Sequence, residues 1–329
     1  MRRYLLYLSY SGTRLRGVQK QPGEGVTETC KSVQGFLDTG LLRLNPSNIP
    51  QSYISSRTDA GVHAIQNAAH VDLCREREGT FYPPKLITKV LNSLFIKENV
   101  DIRVRHTREV PSNFHSRFHA AGRSYLYRLA VIKPESEDGQ ALHYKQYLPP
   151  AELHRLYVVR PPFDIEKVLL GCQMLEGKHN FASFMKTPTK GSTYTVYPNR
   201  DIDSITCTRS RPLLDQSYDP LYSNLDFWDF NISAKSFLYK QVRRIVGALV
   251  AVAQGKLTLD DIQWLLDNPS PKNWKPQAST APPEGLFLLR VKYHPEVFEE
   301  TFHSGNIDTT KATAIEKSHL SDSGIKEDN

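Results

Sequence analysis

Strand-patterned and helix-patterned segments take turns along this chain, and that rhythm leaves few folds open to it. Arg3–Tyr10 is an aromatic and aliphatic run closed by the turn residues Ser11-Gly12-Thr13, which predicts a strand. Val33, Phe36, Leu37, Leu41 and Leu44 recur at helical spacing. Asn67–Leu73 alternates as a strand, Pro83-Pro84 opens a helix over Lys85–Leu94, and Ile102–Arg108 reads as another strand.

The remainder repeats the rhythm loosely. Arg123–Ile132 alternates, with Tyr125, Tyr127, Leu129 and Val131 on one face, and Asp164–Leu175 fits a helix. Thr193–Ile205 predicts one or two strands, and Asp226–Ile232 a strand feeding a helix over Phe237–Gln254 that Gly255 ends. Thr258 caps a last helix, Leu259–Leu266, before a closing strand at Gly285–Tyr293. Pro134–Pro150 and Arg209–Ser223 read as excursions. The expected class is α+β, two α/β halves with mainly antiparallel sheets packed side by side around a central cleft. The N-terminal half is expected over residues 1–115 and the C-terminal half over 116–295, with a disordered acidic tail at 296–329.

Charge gives that cleft a sign. The chain of 329 residues carries a net +7, yet residues 296–329 hold 8 acidic and 3 basic side chains, which leaves the body at +12. A basic body of that size suits a polyanion, of which nucleic acid is the common one. No stretch approaches the roughly 20 apolar residues of a bilayer-spanning helix, so no membrane is expected. Cys30, Cys74, Cys172 and Cys207 form no CxxC pair, which suggests neither a zinc knuckle nor a disulfide framework. Arg2, Arg3, Arg14, Arg16 and Lys20 precede the first acid, Glu24, as in a mitochondrial presequence, although Arg3–Tyr10 already reads as a strand. The expected compartment is the mitochondrion or the cytoplasm, tilted slightly to the former.

The densest stretch is Ser55-Ser56-Arg57-Thr58-Asp59-Ala60-Gly61-Val62-His63-Ala64. A loop held by strand ends presents Asp59 rigidly, and Gly61 lets the chain turn or a substrate approach. On the residues alone, a structural Asp–Arg pair and a catalytic carboxylate both stand. In the Phe237–Gln254 helix, Leu238, Val242, Ile245, Val246, Leu249 and Ala253 share one face, and Lys240, Arg243, Arg244 and Gly247 the other. That second face is either a solvated basic surface or a place where a phosphate backbone comes close.

Arg57-Thr58-Asp59-Ala60-Gly61-Val62-His63 resembles the signature heptad of the TruA family of tRNA pseudouridine synthases. Tyr10-Ser11-Gly12-Thr13 with Gly17-Val18-Gln19 resembles that family's opening segment, and Phe114–Phe118 and Arg123–Tyr127 its FHARF and RxYxY segments. Phe237–Val250 resembles its Arg-bearing helix and Glu284–Leu288 its closing segment. The matches are collinear over residues 4–293, and Phe81–Pro84 with the two excursions resembles the animal TruA-like branch. The resemblance implies the pseudouridine synthase fold and an isomerase that breaks the N1–C1′ bond of uridine, turns the base and rejoins it through C5. It implies Asp59 as catalytic carboxylate, attacking C1′ or removing the 2′ proton, with Arg243 as its partner. It implies that Tyr125 stacks on the target base, that Leu288 covers the site from the other side, and that Arg57 meets the displaced nucleotide. By their residues alone, Tyr125 and Leu288 read as core. Lys240 and Arg244 are expected on the RNA backbone. The partner implied is tRNA or another structured RNA, bound by a homodimer.

No cofactor is expected, because isomerisation within one nucleotide needs no redox agent or phosphate donor. No metal is expected either: His115 and His119 stand at i, i+4 without a third ligand or an activating Glu, and His63 reads as a loop histidine satisfied by backbone groups. Ser11 and Val18 depart from the family's Asp and Trp. They motivate the alternative, a non-catalytic RNA-binding protein retaining the fold. A glycosidase-type hydrolase needs a second acid beside Asp59, and the heptad carries none.

Overall fold

The computed structural model describes residues 1–21, 31–77, 79–133, 148–186 and 197–299. Among the described residues ten strands form one sheet. In chain order they are β1 (Arg2–Tyr10), β2 (Ser52–Ile54), β3 (His63–Leu73), β4 (Ile102–Val110), β5 (Ala120–Ile132), β6 (Tyr157–Val159), β7 (Gly177–Asn180), β8 (Asn199–Arg209), β9 (Leu225–Ala234) and β10 (Leu286–Tyr293). Eight of them run β4-β1-β3-β10-β5-β9-β8-β7, while β2 pairs with β3 and β6 with β5. Pairing is antiparallel except between β10 and β3 and between β5 and β6. The last strand is therefore the seam: Leu288 pairs with Ala64 on one side and with Tyr125 on the other. The sheet runs unbroken across the expected division at 115/116, which falls between β4 and β5.

Among the described residues five α-helices, α1 (Val33–Leu42), α2 (Pro84–Lys97), α3 (Ile165–Leu175), α4 (Gln241–Ala253) and α5 (Leu259–Asp267), share one core with alternate residues of the strands. Tyr4, Leu6, Leu8 and Tyr10 of β1 point into it, as do Tyr125, Tyr127, Leu129 and Val131 of β5, the period-two pattern of strands covered on that face. Helix α2 contributes Ile87, Leu91 and Phe95 at successive turns, all without exposure. Each such side chain is worth about 1.5–3 kcal/mol when removed from water. Ser32, Asp164 and Thr258 each accept backbone N–H groups at the starts of α1, α3 and α5, the last as the sequence predicts.

The opposite face of the sheet carries two smaller clusters. One joins Leu5, Ala68, Val110 and Phe114 to Val297. It moves the expected start of the tail, because Pro295–Phe298 is a turn of 3-10 helix whose Phe298 ring lies 5.6 Å from Phe114. Residues 300–329 of that tail lie outside the described residues, as do 134–147 of the first excursion and Cys30. The second cluster lays Leu148, Leu156, Val158 and Tyr222 on Ala130 and Ile132. The expected strand over Thr193–Ile205 is Asn199–Arg209, and residues 193–196 fall outside the described set. Among the described residues no helix is long and apolar enough to cross a membrane.

Candidate active site

The heptad forms the loop from β2 into β3, and buried polar groups fix it on both sides of Asp59. Asn67 Nδ2 donates to the Tyr10 hydroxyl at 3.1 Å, and that hydroxyl shares a 2.8 Å hydrogen bond with Thr58 Oγ1. The Thr58 carbonyl accepts the Val18 N–H at 3.1 Å, and the Asp59 carbonyl accepts the Val62 N–H at 3.2 Å. Upstream, Asn67 Nδ2 also donates to the Ser56 carbonyl at 2.8 Å, and Ser55 Oγ donates to the Ser116 carbonyl at 2.7 Å. Gly61 closes the turn at φ +80°, where an added Cβ would also lie 2.9 Å from Pro283. Val18 is fully buried beneath this loop, so its departure from the family's Trp concerns the support of Asp59, not a surface.

Asp59 meets Arg243 across the seam between segments 184 positions apart: Arg243 Nη1 donates to Asp59 Oδ2 at 2.8 Å. The two side chains are 23% and 11% exposed, so the pair is largely dry while the carboxylate keeps an open side. Arg243 is itself aimed by a second contact, Nε to the Ala281 carbonyl at 2.7 Å. Its own carbonyl accepts the Ala281 N–H at 3.0 Å. The segment that supplies Ala281 is held in turn by Tyr127, whose hydroxyl donates to the Pro282 carbonyl at 2.7 Å.

Tyr125 lies beside this pair. Its ring meets Phe237 edge-on at 5.2 Å, and its hydroxyl shares a 3.1 Å hydrogen bond with Ser56 Oγ. Burial raises its pKa, the Ser56 bond and Arg123 oppose the rise, and the nearby Asp59 adds to it. The phenol is therefore neutral at physiological pH and offers a ring, not a charge. Leu288 is its cross-strand partner on β10 and is fully buried, so the structure brings the two together. Tyr125→Ala is expected to lower turnover well below that of Tyr125→Phe, which forfeits only the Ser56 bond, about 0.5–1.5 kcal/mol. Single-turnover assays on the three proteins check the order; equal losses would assign the work to the hydroxyl.

Helix α4 departs from expectation in three ways. It starts at Gln241, not Phe237, because Lys240 adopts φ 62°, the left-handed region. Its basic face is not a solvated surface: apart from Arg244, every residue of the helix is buried. Gly247 admits protein, not phosphate, since a Cβ there would stand 2.0 Å from the Ser279 carbonyl oxygen. Arg244, expected on the RNA backbone, points away: Nη1 donates to the carbonyls of Ser183 and Met185, and the guanidinium lies 4.6 Å from the Trp274 ring centroid. Lys240 stays at the mouth of the site, 5.4 Å from the Tyr239 ring centroid, and Arg57 is exposed on the heptad loop.

His63, His115 and His119 each accept a backbone N–H at Nδ1. His63 Nδ1 accepts the Gly12 N–H at 3.2 Å, so Nε2 carries the proton and donates to the His154 carbonyl at 2.9 Å. Burial lowers its pKa, and the neutral ring stacks on Phe287 at 4.5 Å. The Nδ1 atoms of His115 and His119 accept the N–H groups of Arg117 and His115, and burial takes His115 down to about 4 and the neighbouring His70 to about 2. Among the described residues no group of three or more His, Cys, Asp or Glu is placed to hold a metal ion.

A family model described as tRNA pseudouridine synthase matches residues 172–294, the stretch that contains α4 and β10. The tRNA pseudouridine synthase-like 1 of Xenopus laevis is 34% identical over 293 residues, covering 88% of this chain and 91% of that protein. The Homo sapiens protein of the same name is 34% identical over 294 residues, with 88% and 90% covered. The tRNA pseudouridine synthase A of Allorhizobium ampelinum is 31% identical over 293 residues, with 89% and 95% covered. With relatives at this identity along most of both chains, and a mostly antiparallel sheet covered by five helices, this protein belongs to the tRNA pseudouridine synthase family and has the pseudouridine synthase fold.

Proposed function

We propose that this protein isomerises uridine to pseudouridine in tRNA, with Asp59 as the carboxylate that acts at the ribose. The N1–C1′ bond breaks, the freed base turns, C5 bonds to C1′, and the C5 proton leaves as N1 gains one. The observation that carries this reading is the Asp59–Arg243 pair, a carboxylate held at 2.8 Å from a guanidinium with one side still open. The guanidinium holds the carboxylate in one orientation, which both attack on C1′ and removal of the 2′ proton require. Tyr125 supplies the flat surface that a base needs once it has left its stack. The rival reading, an RNA-binding protein without activity, draws on Ser11 and Val18, but Val18 is buried and both members of the pair are in place.

A carbodiimide-based pseudouridine map of total cellular RNA, with and without the protein, tests the proposal. Sites that disappear and return with the wild-type protein establish the activity and name the RNA. The RNA pool affected then names the compartment, mitochondrion or cytoplasm. No change in any pool would favour the RNA-binding reading. A homodimer belongs to the same proposal, and light scattering on the purified protein checks it. Affinity for tRNA is expected to fall at least tenfold between 50 and 200 mM salt, since each neutralised phosphate releases counterions and six to ten contacts would cost about 10³–10⁵. A salt-insensitive affinity would count against the basic cleft.

A further inference from the structure

Tyr239 is a large aromatic side chain left 54% exposed beside a largely buried ion pair. Its mount is rigid. The Tyr239 carbonyl accepts the Lys186 N–H at 3.1 Å, the Gln241 N–H returns to the Leu238 carbonyl at 3.1 Å, and Leu238 N–H donates to Gln241 Oε1 at 2.8 Å. The left-handed Lys240 then turns the chain into α4, and this bend separates Tyr239 from the helix instead of placing it on a buried face. Non-glycine residues persist in that conformation where the surroundings enforce it, and such positions gather at functional sites.

The ring is surrounded by the charges a nucleotide would meet. Lys240 Nζ lies 5.4 Å from the ring centroid. Asp59 and Arg243 both act on the phenol: burial raises its pKa, Asp59 raises it further, and Arg243 opposes them. Burial, Arg243, Lys186 and Arg244 lower the pKa of Lys240, and Asp59 opposes them, so the ammonium stands among other cations, where an anion would be welcome. On the synthase reading, the flipped base takes the Tyr125 side of Asp59. The nucleotide next in the strand needs its own surface, and its phosphate a cation between the two.

We propose that Tyr239 is the stacking platform for a nucleotide flanking the target uridine, with Lys240 and Lys186 on the intervening phosphate. The proposal rests on the synthase reading of the site. Base–aromatic stacking is sequence-tolerant, so the platform adds affinity for single-stranded or splayed RNA without selecting a base.

The test uses the full chain and a 17-nucleotide hairpin RNA with an all-uridine loop in which one internal position is 2-aminopurine. Wild type, Tyr239→Phe and Tyr239→Trp are expected to quench the fluorophore on binding. Tyr239→Ala and Tyr239→Leu should bind about 5–150-fold more weakly and leave it bright. With the unlabelled hairpin, KM should rise more than kcat falls. Lys240→Gln should reduce the slope of log K against log salt by about one. Quenching by Tyr239→Ala equal to that of wild type, an affinity within twofold of it, or no binding of the hairpin by wild type would overturn the platform. Quenching by wild type without isomerisation of any loop uridine would leave Tyr239 a base-stacking residue but count against the synthase reading, and with it the flanking of a target uridine, so the two failures are distinct.

Discussion

Asp59→Asn is expected to leave a folded protein that binds tRNA and forms no pseudouridine. The substitution keeps the shape of the side chain and removes the negative charge that either catalytic role needs. Loss of a positioned acid–base group alone typically costs about 10²–10⁴ in rate, and loss of a nucleophile costs more, so turnover should drop beneath detection in an ordinary assay. The fold should tolerate the change. Breaking a fully buried ion pair costs about 3–5 kcal/mol, but Asp59 is 23% exposed and solvent screens the guanidinium left behind, so about 1–3 kcal/mol is the expectation. Arg243 also keeps its bond to the Ala281 carbonyl. Affinity for RNA should hold or rise, since the change removes an anion from a basic site. The measurement is tritium release from C5-labelled tRNA, beside a melting curve and a binding isotherm for the same preparation. Turnover within tenfold of wild type would return Asp59 to a structural role. Lost activity together with lost binding would point to a collapsed loop.

The sequence carried the outline of this result because its signals are local. An apolar run closed by a turn located β1, alternation located β3 and β5, Pro83-Pro84 located the start of α2, and the heptad located Asp59. The short strands β2, β6 and β7 escaped because three or four residues are too few to show a period. The seam escaped for a different reason. That β10 lies between β3 and β5 depends on pairing Leu288 with Ala64 and Tyr125, and no window of sequence holds all three. The same limit explains the errors in α4. A helical wheel puts Arg243, Arg244 and Gly247 on one polar face, but it contains neither Ser183, Met185 and Trp274, which occupy Arg244, nor Ser279, which fills the space at Gly247. Tyr239 was invisible because the start of the helix was set four residues early, which read it as one more helical position.

The segment from Ser279 to Gly285 emerges as the part that joins the halves of the site. Ser279 lies against Gly247, Ala281 exchanges hydrogen bonds with Arg243, Pro282 accepts from Tyr127, and Pro283 packs on Gly61 of the heptad loop. One stretch thus touches both the loop that carries the carboxylate and the helix that carries the guanidinium. The 2.8 Å distance between Asp59 and Arg243 is set through it, which makes the separation sensitive to packing remote from either charge.

Gly247→Ala should therefore damage activity through a residue that touches no substrate. Two effects compete. Alanine is the better helix former by about 0.8–1.0 kcal/mol, which favours the variant in the interior of α4. Against it, the new Cβ would stand 2.0 Å from the Ser279 carbonyl oxygen and 3.1 Å from the Ala281 nitrogen. Both are backbone atoms with no rotamer to relieve the contact, so α4 and the segment must part by about an ångström or more. Overpacking of this kind costs about 1–3 kcal/mol and exceeds the propensity gain. The separation also strains the paired bonds between Ala281 and Arg243, so the guanidinium shifts relative to Asp59. A misplacement of about 1 Å is enough for a hundredfold loss of rate. The expected result is a melting temperature a few degrees lower and turnover down by about 10²-fold, with tRNA affinity nearly unchanged. Gly255→Ala is the matched control: its φ of +70° strains an added side chain by about 1–2 kcal/mol, while nothing lies within 4 Å to transmit a shift. It should lose comparable stability and keep its turnover per folded molecule. Equal loss of turnover in both would mean that stability, not the placement of Arg243, limits the reaction.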